Sequence, residues 1–491
     1  MLLNSDEYED ARQSRDPRFD GRFFVGVLTT GIYCRPICPV RIPKQENIQL
    51  YRSAAGAAEA GFRPCLRCRP ESSPGTPAWI GAPYKVSRAL QLIAKGVLDE
   101  GSVDALAAQL SIGPRQLTRL FQQHVGASPV AVVQTQRLHF AKKLIDETGL
   151  PLSEVCFAAG FGSVRRFNAV FQNTYGRSPR QLRARRKQDD AAAGGTIEVR
   201  LAYRPPLDWQ AMLRYLEYRK IPGVEAIDYA ANAYARTIVV DGQAGDIRVQ
   251  FSDAGNFAHL QINFPDTRHL YHIVERVRLL FDLKADSEEI DRFFGQDKLL
   301  KQVVKRNPGT RITGCWDGFE VTVRAILGQQ VTVKAATTLA GRVADRHGNV
   351  YASANPQLSR TFPSAGDLAE ADLDGIGIVG QRINAIHSVA RKIARNEIGF
   401  DGVLETDAFV ESICEIKGIG QWTAHYIALR VLNDPNAFPH SDLILRRAAA
   451  PQGETLTPKR LLARAEAWKP WRAYAVILLW KHYQQSVRDN K

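Results

Sequence analysis

Glu415-Ile416-Lys417-Gly418-Ile419-Gly420-Gln421-Trp422-Thr423-Ala424 is a Gly-hydrophobe-Gly turn between two helical patterns. Ile413 and Ile416 flank it on one side, and Trp422, Tyr426, Leu429 and Arg430 follow at helical spacing. Glycine permits positive φ and lets a ligand come close to the backbone. The turn also feeds a helix N-terminus, where free amides and the positive dipole end attract anions. A DNA phosphate suits such a site whatever the base sequence. A plain helix–helix turn is the alternative for the tripeptide alone, so the surrounding residues decide.

Downstream, Phe438-Pro439-His440-Ser441-Asp442-Leu443-Ile444 sets a carboxylate behind a Pro-containing loop. Arg464-Ala465-Glu466-Ala467-Trp468-Lys469-Pro470-Trp471-Arg472-Ala473-Tyr474-Ala475 follows. Together these strings resemble the helix-hairpin-helix DNA glycosylase superfamily, and within it the AlkA branch of 3-methyladenine DNA glycosylases. The resemblance implies that Gly418 and Gly420 meet the DNA backbone and that Asp442 is the catalytic carboxylate. Asp442 would stabilise positive charge on the sugar or align water; its other role is N-cap of the helix starting at Leu443. Trp422, Tyr426 and Trp480 match aromatic pocket positions, and Trp209 is grouped with them; core packing is the alternative for all four. An electron-rich slot suits an alkylated purine, which carries positive charge.

The base must leave the stack to react. The string Arg324-Ala325-Ile326-Leu327-Gly328-Gln329 is followed by Gln330, where the best-known AlkA member has an apolar residue. Gln330 is expected to fill the vacated space with hydrogen bonds instead. Superfamily members that also cut the strand place a Lys where Trp422 stands. Trp cannot form a Schiff base, and Lys417 is off that position, so a monofunctional glycosylase leaving an abasic site is expected.

The whole chain has 491 residues, 45% of them hydrophobic, enough for three or four ordinary domains. Its net charge of +14 and pI of about 9.5 point to a polyanion, with nucleic acid ahead of a membrane surface. No apolar run approaches a bilayer-spanning length. Met1 to Arg12 is acidic and polar, unlike a secretory signal. The seven cysteines suit reduced cytosolic thiols better than disulfides.

Near the N-terminus, Cys34 and Cys38, then Cys65 and Cys68, form a C-x3-C and a C-x2-C pair around a helix-like Ala54–Ala60 stretch. Arg22–Val27 reads as a strand. Two close pairs suit one tetrahedral zinc ion, which would stabilise a domain with little core of its own. Thr29-Thr30-Gly31-Ile32-Tyr33-Cys34-Arg35-Pro36, Gly61-Phe62-Arg63-Pro64-Cys65 and Arg67-Cys68 resemble the N-terminal domain of the Ada alkylation-response proteins. That resemblance implies irreversible methyl transfer from a DNA methyl phosphotriester to Cys34. Zinc keeps sulfur as thiolate, the nucleophilic form. Methylation removes one negative charge and should raise DNA affinity, promoting sequence-specific binding and transcription activation. Arg41, Arg63 and Arg67 match family positions for phosphate contact. Ada proteins commonly end in a methyltransferase with a Pro-Cys-His-Arg string, which this chain lacks. Cys156, Cys315 and Cys414 read as buried thiols, and with no four-cysteine cluster near the C-terminus an iron–sulfur cluster is not expected.

From Pro83 to Arg185 the pattern is helical. Ser102 reads as a cap, Ser111-Ile112-Gly113 as a turn, and a long helix runs from Pro129 to Thr148. The pattern recurs around Gly160-Phe161-Gly162. Ala158-Ala159-Gly160-Phe161 and Tyr175-Gly176-Arg177-Ser178-Pro179 resemble the AraC-family regulators, whose module holds two helix-turn-helix motifs. Leu117, Leu120, Phe121, Phe167, Val170 and Phe171 are expected in the core. Arg115, Arg119, Arg165 and Arg166, with Gln116, Ser163 and Asn168, are the DNA-contact candidates.

The expectation is a multidomain chain: a small α+β zinc domain (1–75), an all-α double helix-turn-helix (83–186), a linker (187–195), a small α/β subdomain (196–285) and a mainly α helix-hairpin-helix glycosylase (286–491). Its expected partners are double-stranded DNA, damaged and promoter, and RNA polymerase, with no membrane; its expected place is the cytoplasm, at the nucleoid.

Overall fold

The computed structural model describes residues 6–75, 84–94, 96–183, 196–252, 255–400, 406–451 and 454–489. They group into two compact units. The first holds the chain up to residue 205, with 252–278 and 283–285; the second holds 206–251, 279–282 and 286 onward. Residues 196–285 are shared between these units. The linker expected at 187–195 lies outside the described residues.

In the first unit, Ile48–Tyr51, Phe24–Val27, Ile32–Cys34 and Arg63–Pro64 form a four-stranded sheet in that order. The first three strands are antiparallel, and Arg63–Pro64 runs parallel to Ile32–Cys34. Gly31, at φ +62°, closes the tight turn between the first two strands in sequence. The Ala-rich stretch is a helix, Ala54–Glu59, whose first turn is capped by Ser53 accepting from the Gly56 amide.

The helical half of this unit is as its pattern indicated. Ser102 caps Val103–Gln109 by accepting from Ala105 N, and Pro114 opens the helix Pro114–His124. The long helix is Pro129–Glu147, with Thr148 at its C-cap. The second motif pairs Leu152–Ala158 with Val164–Tyr175 across Gly160, which sits at φ +76°. Leu117, Phe121, Phe167 and Phe171 are buried, whereas Leu120 and Val170 are only half-buried. Tyr33 Oη and His139 Nε2 lie 2.8 Å apart, tying the sheet domain to the long helix. The strand Ile197–Ala202 pairs antiparallel with Phe257–Asn263.

In the second unit, Glu225–Asp228, Ala233–Val240 and Gln243–Phe251 make an antiparallel meander. The rest is helical. A core of Phe319, Val323, Ile326, Val343, Ile386, Val389, Phe409 and Ile427 gathers the helices Gly318–Leu327, Val333–His347, Gly380–Ala394, Thr406–Cys414 and Gln421–Val431. Ile416 and Ile419 are part of it, at 3% and 4% exposure, so the Gly-Ile-Gly turn is pinned to the core by its apolar members. Among the described residues, no helix is long and apolar enough to cross a membrane.

Candidate active site

The turn between Thr406–Cys414 and Gln421–Val431 exposes both of its glycines. Gly418 sits at φ +98°, and a Cβ there would lie 3.2 Å from the Ala385 methyl. Gly420 is the N-cap; no side chain caps this helix, and nothing lies within 4 Å of where its Cβ would be. The first-turn amides are therefore available to an anion. Gln329 Nε2 donates to Gly418 O at 2.8 Å and to Thr423 Oγ1 at 3.3 Å, joining this turn to the one that carries Gln330. Gln330 is exposed and sits at φ +55°, a left-handed conformation uncommon outside glycine.

Beside the hairpin the second unit encloses a cavity of about 740 Å³, within the size range of small-molecule sites. Trp422 and Tyr426 stack on one wall, their rings 5.6 Å apart and 13° from parallel; Trp480 stands 6.5 Å from Tyr426. Asp442 is 6% exposed and faces these rings. Its Oδ2 accepts from Trp422 Nε1 at 2.6 Å, and its Oδ1 accepts from Trp480 Nε1 at 3.4 Å and from Leu445 N at 2.8 Å. The last bond makes Asp442 the N-cap of Leu443–Ala448, so capping and chemistry share one side chain. A carboxylate offers about four acceptor sites. Three are filled here, which leaves one, on Oδ2, for a water or a developing charge.

Trp209 departs from expectation. It does not line the cavity: its ring stacks 3.4 Å from Phe251, its indole N–H donates to Asn232 O at 3.1 Å, and it is 7% exposed. Its ring packs into an aromatic cluster with Phe251 and Phe281. On Trp209–Glu217 the buried stripe is Trp209, Met212, Leu213 and Leu216, an i, i+3, i+4, i+7 core face. Tyr215 lines the cavity, as do Met212 and Leu216 of the stripe. The sequence reading missed Tyr215 as a lining residue, together with Arg219, Arg324 and Arg430. Lys481 also lines the cavity, but its ammonium donates to Asp208 Oδ2 at 2.9 Å and Thr310 Oγ1 at 2.8 Å.

In the first unit, parallel pairing of Ile32–Cys34 with Arg63–Pro64 sets Tyr33 opposite Pro64. That register brings Cys34 and Cys38 against Cys65 and Cys68. The four Sγ atoms lie within 4.8 Å of one another and all four residues are buried. Zinc–sulfur bonds of about 2.3 Å in a tetrahedron need S···S edges of about 3.8 Å, so the donor set fits zinc. Arg35 N donates to Cys68 Sγ at 3.3 Å, and its guanidinium pairs with Asp20. Arg69 pairs with Asp146 at 3.0 Å and Glu147 at 3.3 Å. Arg41, Arg63 and Arg67 are instead exposed, as are Arg115 and Arg119 on Pro114–His124 and Arg165 and Arg166 on Val164–Tyr175. Of the remaining thiols, Cys156 is buried, but Cys315 and Cys414 are only half-buried, and Cys315 borders the cavity.

Four family models match the chain: the metal binding domain of Ada over residues 7–71, a helix-turn-helix domain over 106–185, the AlkA N-terminal domain over 198–317, and the HhH-GPD superfamily of base excision DNA repair proteins over 323–473. A Mycobacterium tuberculosis protein described as a probable bifunctional transcriptional activator/DNA repair enzyme AlkA is 40% identical over 482 residues, which is 98% of this chain and 96% of that protein. DNA-3-methyladenine glycosylase 2 of Escherichia coli is 29% identical over 283 residues, 57% of this chain and 95% of the other. Among solved structures, a 3-methyladenine DNA glycosylase from Archaeoglobus fulgidus matches with a TM-score of 0.52 at 21% identity, over 58% of this chain and 98% of that one, a likeness of fold.

Proposed function

This chain belongs to the family of the bifunctional transcriptional activator/DNA repair enzyme AlkA, and from that premise we propose that it both removes alkylated purines from duplex DNA and senses DNA methylation damage. The observation that carries the first half is Asp442, a buried carboxylate gripped by two indole N–H groups at an aromatic cavity. The hairpin amides hold a phosphate of the damaged strand, and Gln330 enters the space left by the flipped nucleotide. The C1′–N bond opens as the base departs with its electron pair, and a water oxygen bonds to C1′ and releases a proton to solvent. Asp442 faces the positive charge that develops on the sugar and, through its remaining lone pair, orients that water. Trp422 occupies the position a Schiff-base lysine would need, and Lys481 is tied to Asp208 and Thr310. These features support a monofunctional enzyme that leaves an abasic site.

In the sensor half, one zinc ion bound by Cys34, Cys38, Cys65 and Cys68 would hold their sulfurs as thiolates. Cys34 Sγ attacks the methyl carbon of a phosphotriester; the S–C bond forms, the C–O bond breaks, and a phosphodiester anion leaves. Arg41, Arg63 and Arg67 meet phosphates, and Arg115, Arg119, Arg165 and Arg166 present the helix-turn-helix faces to promoter DNA. The same proposal includes RNA polymerase as partner, a cytoplasmic, nucleoid-associated place, no iron–sulfur cluster and the five-part division of the chain; the four matched family models support four of those parts.

The deciding experiment is base release from methylated duplex DNA by the native protein and by Asp442→Asn. Asparagine retains an oxygen for the cap, so the variant should bind DNA as before and release base at least about 100-fold more slowly. Release at the native rate would remove Asp442 from the chemistry.

A further inference from the structure

Beside Trp422 and Trp480, the cavity holds a pair of hydroxyl groups contributed by two distant helices. Tyr215, on Trp209–Glu217, and Tyr426, on Gln421–Val431, bring their hydroxyl oxygens to 3.2 Å. Arg430, 1% exposed, donates to Thr313 O at 2.7 Å. Its guanidinium lies 4.4 Å from the Tyr215 ring, 5.5 Å from Tyr426 and 5.7 Å from Trp480. Arg219 lies 4.2 Å from the Tyr215 ring. Two guanidinium groups against an aromatic slot oppose entry of a cationic base, and a buried site screens that repulsion poorly. A site for alkylated purines therefore needs an oxygen that offsets them.

We propose that the Tyr215–Tyr426 hydroxyl pair, held between Arg219 and Arg430, sets the preference of this cavity for positively charged over neutral damaged bases. The inference rests on the glycosylase reading and adds two specificity-determining residues to it. Burial raises the Tyr426 phenol, but Arg430, Arg219, the hydrogen bond from Tyr215 and Arg324 together outweigh it and bring it down to about 7. Burial, first of all, pushes Tyr215 up to about 12. Tyr215 thus keeps its proton and donates, and Tyr426 Oη accepts.

Most other charged groups around the cavity are already engaged; Arg311 donates to Asp282 O, and Arg214 is exposed. Arg236 pairs with Glu320 at 2.6 Å, Glu225 lies 4.0 Å from Arg324, Lys481 is bonded to Asp208, and Asp442 is held by the indoles. Above about pH 7 the ionised Tyr426 offsets one guanidinium and attracts a cationic base. Below it, the protonated pair leaves both guanidinium groups uncompensated, and a neutral base is favoured.

The test uses the full-length protein and compares kcat/KM for release of 3-methyladenine, whose nucleoside stays cationic throughout, with that of hypoxanthine, which is neutral. The assays run from about pH 6 to about pH 8.5. For the native protein the ratio should rise with pH through neutrality. Tyr426→Phe should lower the ratio at high pH roughly tenfold, the scale of one interaction with a charged group, and flatten the trend. Tyr215→Phe removes a bond that lowers Tyr426, so the rise should move to higher pH. Thermal unfolding establishes that each variant is folded, and either alone is decisive. Native ratio and native trend in a folded variant would overturn the proposal while Asp442-dependent release continued. Absence of any Asp442-dependent release would overturn the glycosylase reading and this inference with it.

Discussion

Asp442 caps a helix with one oxygen and meets Trp422 with the other. Alanine there would remove both contacts and cost about 1 kcal/mol of helix capping besides any chemistry, which is why asparagine is the cleaner probe. Trp422 can be probed separately from its ring. Trp422→Phe keeps a smaller aromatic face against Tyr426 and deletes the N–H that steadies the carboxylate. The kcat for base release should fall about tenfold with KM nearly unchanged, the loss of one charge-assisted hydrogen bond. An unchanged kcat in steady-state release assays would mean that the indole N–H has no part in placing Asp442. At this scale Trp422, Tyr426 and Asp442 were legible because they stand in one motif-bearing stretch. Tyr215 was not, because its partner Tyr426 is 211 residues away. Trp209 was misassigned because the rings that hold it, Phe251 and Phe281, are far from it in the chain.

At the scale of elements, the two hairpin glycines differ in what they are needed for. Gly418 is conformationally required: at φ +98° an L side chain is strained, and its Cβ would press on Ala385. Gly420 is at φ −92° with open space around it. Gly418→Ala should therefore destabilise the protein by about 1–2 kcal/mol. Gly420→Ala should leave stability within about 0.5 kcal/mol and weaken duplex binding, because its methyl would add bulk to the exposed turn proposed to meet the phosphate. Thermal unfolding and binding titrations on both variants distinguish the two; equal stabilities would contradict the strain assigned to Gly418. The caps at Ser102, Ser128 and Ser163 and the turn glycine Gly160 follow the same local logic, and all could be anticipated from hydroxyl or glycine placement beside apolar periodicity.

For the whole molecule, a charge of +14 carries most non-specific affinity for DNA. On that background the state of Cys34 is a small but localised change. With zinc holding the sulfurs as thiolates, methylating it would remove one negative charge from a buried four-cysteine cluster flanked by exposed Arg63 and Arg67. Promoter affinity should rise by up to about tenfold at low salt and the gain should shrink as salt is added. Exposure to DNA carrying methyl phosphotriesters, peptide mapping of the methyl group and binding titrations check this together. Methyl on another residue, or an affinity that does not change, would refute the assignment.

By itself the sequence determined what depends on near neighbours: the left-handed glycine of the hairpin, the two close cysteine pairs, the helix caps and the alternation of strands and helices. These follow from backbone sterics and from short-range hydrogen bonds, which a few consecutive residues settle. Only the tertiary structure decided which aromatic side chains face the cavity, how the parallel pairing of Ile32–Cys34 with Arg63–Pro64 closes the four-sulfur site, and where the strands of residues 197–263 divide between two units. Those outcomes depend on packing between segments far apart in the chain, where one helix face or one strand register wins because of the whole core it buries.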